Sequence, residues 1–197
     1  MEYDVKTVLG ILAAGVAVVN YLPYLIGVFK KTVKPHIFSW IIWTLMTGIT
    51  FFAQMTDQAG PGAWATGITS ATLLLIVIFT LKNSEHSITR ADWWSFGGAL
   101  VAIPVWVVTG NPLWSVVIVT VIETLGFFPT FRKGYHTPHE DSVLAFTLTI
   151  IKYSLALAAL THYSVTTVLF PAALVVLSSS LVAMLLWRRW QIAGLRT

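Results

Sequence analysis

Two ionisable side chains lie deep inside long apolar segments of this 197-residue chain, and they are the residues best suited to do chemistry. They are Glu123 and Lys152, which stand on either side of a short charged loop. An ionised side chain near the centre of a bilayer costs roughly 2.5–3.5 kcal/mol on insertion scales, so such residues usually pair, line water or contact a substrate. We therefore interpret Lys152 as a site for an anionic group and Glu123 as its partner or as a proton acceptor.

The two side chains are predicted to lie at a similar depth. Glu123 comes eight residues before Phe131, where one predicted helix ends, and Lys152 comes ten residues after Ser142, where the next begins. At 1.5 Å per residue, both lie roughly 12–15 Å from the same membrane edge. Consecutive helices are antiparallel, so the two side chains are expected to meet as an ion pair. Two interpretations of that pair stay open, a functional one and a structural salt bridge.

Composition excludes several classes of protein. The chain is 56% hydrophobic and 10% charged, whereas an ordinary soluble domain is about 25% charged, which predicts a membrane protein. It has no cysteine, which excludes disulfides, thiol catalysis and cysteine-bound metals. The start, MEYDVKTVLG, has neither a basic region nor a small-residue cleavage site and is not expected to be a cleaved signal peptide. No enzyme motif and no cofactor motif occurs, so we expect no enzyme.

Seven apolar runs approach the roughly 20 residues that a helix needs to cross the hydrocarbon core. The predicted fold is therefore an all-α membrane protein with seven transmembrane helices and short connections. The predicted spans are Thr7 to Phe29, His36 to Met55, Pro61 to Leu81, Ala91 to Thr109, Pro112 to Phe131, Ser142 to Leu160, and Ser164 to Trp187.

The distribution of basic residues predicts the orientation of these spans. Lys and Arg accumulate at cytoplasmic span ends, and ten of them fall in odd-numbered loops or the C-terminal tail, against Lys6 on the other side. The N-terminus is therefore predicted outside and the C-terminus in the cytoplasm, in the plasma (inner) membrane. The net charge of +4 thus reports topology and not nucleic-acid binding. The ten residues are Lys30, Lys31, Lys34, Lys82, Arg90, Arg132, Lys133, Arg188, Arg189 and Arg196.

An internal repeat relates the two ends of the chain. A shift of 106 residues places Pro23 on Pro129 and Trp40 on Phe146, and it maps three spans onto three spans. With one span between the copies, both copies have the same orientation, an architecture that places solute sites at the repeat interface. We predict a first three-helix bundle at 1–82, a linker helix at 83–110, and a second three-helix bundle with a short cytoplasmic tail at 111–197.

Each copy has a proline late in its first helix, a basic loop, and an aromatic residue in its second helix. The segments are LPYLIGVFKKTVKPHIFSW and FPTFRKGYHTPHEDSVLAF. This pattern resembles the SWEET, SemiSWEET and PQ-loop (MtN3-like) transporter families. The resemblance implies two three-helix bundles joined by a linker helix (3+1+3), hinges at Pro23 and Pro129, and a sugar-like solute moved by alternating access.

The residues that hold sugars in such relatives are replaced in this chain. The position of a pocket Trp falls on Phe52 and Ala158, and that of a pocket Asn falls near Ile68, Thr69 and Leu174. The substrate class therefore stays open between a sugar-like solute, as the resemblance implies, and an anionic or zwitterionic metabolite, as Glu123 and Lys152 indicate.

Four further residues are candidates for a solute pocket. Asn20 matches Gly126 in the repeat, which would leave room for a solute, although such amides more often bond between helices. Thr69 and Ser179 represent small polar clusters in the third and seventh spans, whose hydroxyls also bond their own helix. Phe52 is placed to stack on a ligand or to face lipid.

Other groups have simpler explanations. His136 and His139 stand beside acidic residues, and we interpret them as an interfacial loop, not a metal site. The tryptophans lie mostly near span ends and are typical of an aromatic belt.

The favoured function is transport of a small polar solute, with possible partners that include protons, the lipid bilayer and a second copy of the chain. The alternatives are a non-transporting membrane receptor or cargo-binding protein on the same fold, and a structural subunit.

The charge distribution makes a testable prediction about topology. A tag placed before Met1 is expected to be accessible only from outside intact cells, and a tag after Thr197 only from the cytoplasm, because ten basic residues favour that side. Protease accessibility of the two tags measures this. Two tags on the same side would contradict both the seven-span topology and the parallel repeat.

Overall fold

The computed structural model describes residues 4–31, 37–81 and 90–194 of the chain, apart from the side chains of residues 91, 92 and 95. Predictions that involve Lys34, His36, Lys82 and Arg196 lie outside the described residues, as does the predicted boundary between residues 82 and 83. The described residues form seven α-helices and one short 3₁₀ turn, with no strand among them. The prediction of an all-α fold is confirmed for this part of the chain.

The helices follow the predicted spans closely at most of their ends. They are α1 (Val5–Phe29), α2 (Ile37–Thr56), α3 (Trp64–Thr80) preceded by the 3₁₀ turn Gly60–Ala63, α4 (Arg90–Thr109), α5 (Pro112–His136), α6 (Val143–Ala158) and α7 (Val165–Gly194).

Local sequence explains several of the helix starts. The Asp4 carboxylate accepts a hydrogen bond from the backbone N–H of Lys6 at the start of α1. The side chain of Asn111 accepts one from Leu113 at the start of α5, where Pro112 occupies the first turn. Such side chains satisfy backbone N–H groups that have no partner inside the helix.

Two helices run beyond their predicted ends. α5 ends at His136, five residues after Phe131, and α7 ends at Gly194, seven residues after Trp187. The predicted ends were wrong because they marked where the apolar run stops. Beyond the hydrocarbon core the sequence is basic and no longer apolar. Lys and Arg are good helix formers, so the helix continues past the end of the apolar run.

Among the described residues, five helical segments are long and apolar enough to cross a membrane: α1, α2, α5, α7, and the 3₁₀ turn together with α3. The apolar part of α4, Phe96–Thr109, and the whole of α6 are shorter. At 1.5 Å per residue, the 16 residues of α6 reach about 24 Å, against about 30 Å for a hydrocarbon core. This composition fits the prediction of a multi-pass membrane protein.

Helix packing follows the same order in the two halves of the chain. α3 packs against both α1 and α2, and α7 packs against both α5 and α6. Between the halves, α1 packs against α6 and α2 packs against α5, while α4 lies against α5 and α2. The first helix of each half therefore contacts the second helix of the other half.

One end of the bundle is closed by two connecting segments, residues 57–62 between α2 and α3 and residues 159–164 between α6 and α7. We call this pair of segments the seal. The backbone N–H of Thr161 donates to the carbonyl of Ala59 at 3.1 Å, and the Thr161 hydroxyl donates to the carbonyl of Gln58 at 2.6 Å. The Ser164 hydroxyl donates to the carboxylate of Asp57, and His162 Nδ1 lies 3.1 Å from the Asp57 carbonyl oxygen.

Glycines allow these segments to approach closely. A Cβ atom on Gly62 would lie 2.8 Å from the carbonyl oxygen of Ala156 and 2.9 Å from Leu160 Cα. A Cβ on Gly10 of α1 would lie 2.8 Å from the carbonyl oxygen of Pro61. In addition, Lys6 Nζ donates to the carbonyl of Leu160 at 2.8 Å. The start of α1 is therefore held against both parts of the seal.

These contacts predict opposite effects for two glycine-to-alanine changes in α1. Gly10→Ala is expected to lower Tm, because overpacking against backbone costs about 1–3 kcal/mol. Gly15→Ala is the matched control, since its Cβ meets nothing within 4 Å, and it should be neutral or slightly stabilising through helix propensity. Thermal unfolding of the two purified variants in detergent measures the difference. Equal Tm values would show that α1 does not rest tightly on the seal.

Candidate functional site

A cavity of about 530 Å³ lies between the two halves of the chain. Its wall contains residues from α1, α2, α3, α5, α6 and α7. The lining residues of α1 and α2 lie mostly in the halves that face away from the seal, and those of α5 and α6 extend from that side to near the helix centres, where Glu123 and Lys152 lie. The lining includes Asn20, Tyr21, Tyr24, Ser39, Trp40, Trp43, Met46, Thr69, Glu123, Gly126, Phe127, Pro129, Phe146, Thr149, Lys152, Tyr153, Phe170 and Ser178.

Lys152 is the most deeply buried charged residue that the structure describes, with 1% of its surface exposed. Its ammonium donates to the hydroxyl of Thr69 at 3.2 Å. The same nitrogen lies 4.5 Å from the ring centre of Tyr153 and 5.1 Å from that of Tyr21. Aromatic faces attract cations within about 6 Å, so three helices, α1, α3 and α6, together hold this charge.

Glu123 lies on α5 and lines the same cavity as Lys152. The expected ion pair is not formed, because no carboxylate oxygen of Glu123 lies within 4.0 Å of Lys152 Nζ. The ion pairs among residues 4–31, 37–81 and 90–194 join Lys133 to Glu140 and Asp141, and His162 to Asp57. Glu123 also makes no hydrogen bond within those ranges, so its carboxylate is open toward the cavity.

Helical spacing explains why these residues face one space. On α6, Thr149 and Lys152 are three residues apart and Phe146 and Tyr153 are seven apart, which puts them on one face. On α5, Glu123 and Phe127 are likewise four residues apart. All six line the cavity. These residues thus form one stripe on α5 and one on α6 that face the cavity.

Asn20 lines the cavity, and its amide donates to the hydroxyl of Thr149 at 3.0 Å, which joins α1 to α6. Gly126, its partner in the predicted repeat, borders open space, since a Cβ there would meet nothing within 4 Å. One side of the cavity wall is therefore closed by the hydrogen bond between Asn20 and Thr149, and the side at Gly126 is open.

Several predicted residues lie away from the cavity. Phe52 is 62% exposed on α2, and Ser179 is exposed on α7, so neither lines it. Ser178, one residue earlier, is fully buried in the wall, and its hydroxyl has no hydrogen-bond partner among the described residues. Of the two predicted hinges, Pro129 lines the cavity, whereas Pro23 is exposed on α1 outside it. Successive side chains of a helix point about 100° apart, which explains why Ser178 lines the cavity and Ser179 does not.

The aromatic wall is the main feature that the sequence analysis missed. Trp40 was interpreted as part of an aromatic belt, but it is 8% exposed and lines the cavity, stacked 4.4 Å from Tyr24. Trp43 also lines it. The sequence signal that could have located this wall is the position of Tyr21 and Tyr153, which directly follow the candidates Asn20 and Lys152. Trp93 and Trp94 are exposed, as a belt would require.

The cavity wall contains one carboxylate and one ammonium, which suits recognition of charge. No group of three His, Cys, Asp or Glu side chains is placed to hold a metal within the described ranges. The arrangement provides an anion, a cation and stacking surfaces around one open volume.

Comparison of the chain with protein-family models, with curated proteins and with solved structures finds no match.

The Lys152–Thr69 contact yields a prediction with a matched control on the same helix. Thr69→Val removes the hydroxyl that accepts from the ammonium, and hydrogen bonds to charged groups contribute about 1.5–3 kcal/mol. We expect a clear loss of Tm. Thr72→Val should have little effect, because the exposed Thr72 hydroxyl bonds only the carbonyl of Ile68 in its own helix.

A double change separates this hydrogen bond from simple packing. In the Lys152→Met background, Thr69→Val should cost much less than in the wild type, because the partner is already gone. An unchanged cost in both backgrounds would show that Thr69 matters for packing and not for holding the charge.

Proposed function

We propose that this protein is a multi-pass membrane carrier for a small polar solute, working by alternating access between two three-helix bundles. The observation that carries the proposal is a cavity between the two halves of the chain that contains an unpaired carboxylate and a buried ammonium, and that is closed off at one end by the seal. A purely structural salt bridge would be expected to bring Glu123 and Lys152 into contact, since two separated buried charges are costly.

Helix packing supports the 3+1+3 arrangement with seven spans. In each half the third helix packs against the first and second helices. The two cross-contacts, α1 with α6 and α2 with α5, are equivalent under exchange of the halves. Parallel repeats related in this way form a solute site at their interface, and rocking of one repeat against the other gives access from either side.

The state of the bundle is consistent with a carrier that is open toward the cytoplasm. The seal lies at the N-terminal end of α1, where Lys6 donates to Leu160. The cavity extends from near the helix centres toward the end that has most of the basic residues. With the predicted orientation, the outer side is shut and the inner side is accessible.

Pro129 suits a hinge in α5. Proline has no backbone N–H and leaves the carbonyl four residues earlier without its helical partner, which weakens the helix at that turn. That carbonyl belongs to Leu125, between Glu123 and Pro129. Bending at this turn would move Glu123 relative to the part of α5 that lies beside the basic end. Pro23, at the same place in α1, would be the corresponding hinge of the first bundle.

A disulfide across the seal tests the cycle directly, because the chain has no native cysteine. The variant Ala59→Cys/Thr161→Cys joins two residues whose backbones are already hydrogen bonded. In liposomes, oxidation is expected to reduce uptake of a radiolabelled sugar and amino-acid mixture at least tenfold, and reduction should restore it. Binding measured in detergent should survive, since the cavity stays accessible from the basic end.

The single-cysteine variants are the controls, and mass spectrometry verifies the cross-link. Full uptake by the cross-linked protein would show that the seal does not open during transport. Saturable binding without uptake, in reduced and oxidised protein alike, would instead identify the chain as a receptor or cargo-binding protein.

A further inference from the structure

We propose that the solute is a zwitterion, and specifically an α-amino acid with an aromatic or large aliphatic side chain. This inference rests on the proposed carrier function and names its substrate class. It is carried by three features of the cavity: unused donors on Lys152, a carboxylate on Glu123 that has no ion pair within 4.0 Å among the described residues, and a wall that includes eight aromatic side chains.

The ammonium of Lys152 has donors left for a ligand. An ammonium group has three N–H donors, and within the described residues one is used, by the Thr69 hydroxyl. The Tyr21 and Tyr153 rings attract the charge but do not satisfy the remaining donors with an oxygen. A carboxylate entering the cavity would supply those acceptors and the opposite charge.

Glu123 needs the complementary group. It has no hydrogen bond and no ion pair within residues 4–31, 37–81 and 90–194, and its carboxylate faces the same cavity. A ligand ammonium is the group that would satisfy it. Glu123 and Lys152 form no ion pair within 4.0 Å, so both charges stay available to one ligand that carries an ammonium and a carboxylate.

The charges also favour a zwitterion over the other classes of small solute. A neutral sugar would bring no opposite charge to Glu123 or Lys152, and a simple anion or amine would bring one to only one of them. Sites whose buried polar groups lose their partners reject the incomplete analogue strongly, by factors of up to 10⁴–10⁵. A zwitterion matches both groups at once and keeps the whole site neutral.

The other residues of the cavity wall select the side chain of the ligand. Trp40, Trp43, Phe127, Phe146 and Phe170 line the cavity, and they offer ring faces and edges to an apolar or aromatic side chain. The volume of about 530 Å³ falls within the range of small-molecule pockets, about 300–1,000 Å³. Gly126 leaves the wall open beside Glu123. Small polar zwitterions such as glycine would leave this surface uncovered.

The test compares each amino acid with analogues that lack one charge. The probes are L-phenylalanine, 2-phenylethylamine and 3-phenylpropionate, then L-leucine, isopentylamine and 4-methylpentanoate, with D-glucose as a neutral solute. Ligands that bind the native state raise Tm. We expect at least one of the two amino acids to bind at least tenfold more tightly than its amine and its acid, and glucose not to bind.

Two variants assign each charge of the ligand to its residue. In Glu123→Gln, the preference for the amino acid over its acid should fall at least tenfold. In Lys152→Met, the preference for the amino acid over its amine should fall similarly. Glu140→Gln and Lys133→Met, which change exposed residues of the basic end, should leave both ratios unchanged. Because ratios are measured on one variant at a time, a general loss of stability cannot produce this pattern.

The outcomes separate this inference from the carrier proposal. Failure of both amino acids to bind, or an amine or acid that binds as tightly, would overturn the zwitterion assignment, even if labelled glucose enters liposomes. Tight amino-acid binding without uptake would support the zwitterion assignment and overturn the carrier. A variant that leaves its ratio unchanged would show that its side chain does not contact the ligand.

Discussion

The arrangement of this protein depends on the need to hold an ammonium group inside an apolar helical bundle. Lys152 lies near the middle of α6 with only 1% of its surface exposed, so its charge must be stabilised locally. Thr69 of α3 and Tyr21 of α1 supply that stabilisation from two other helices, together with Tyr153 of its own helix. The packing of α1 between α3 and α6 therefore has an electrostatic reason as well as a steric one.

Much of the fold could be predicted because the signals were local. Apolar runs located the seven helices, Asn111 and Ser142 marked two helix starts, and the depth of Glu123 and Lys152 placed both on one cavity. Ends in basic segments were harder, as α5 demonstrates, since hydrophobicity reports the lipid boundary and not the end of the helix.

Helix rotation was the part that sequence could not supply. In a soluble helix the polar face points away from the core, but a helix surrounded by lipid and by other apolar helices has little such contrast. Phe52 and Trp40 belong to the same helix, and the sequence analysis made Phe52 a candidate to stack on a ligand and Trp40 part of an aromatic belt. Only the packing distinguishes them, because Trp40 is turned inward and Phe52 outward.

The seal has a consequence for how such a chain can be assembled. Between its two segments, the second half supplies the donors, from Thr161, His162 and Ser164, and the first half supplies the acceptors, the carbonyls of Asp57, Ala59 and Gln58 and the Asp57 carboxylate. Two copies of the first half would lack these donors, and they would also lack both Glu123 and Lys152. The contacts of the seal and of the cavity wall therefore need one copy of each half, which the single chain supplies in a fixed one-to-one ratio.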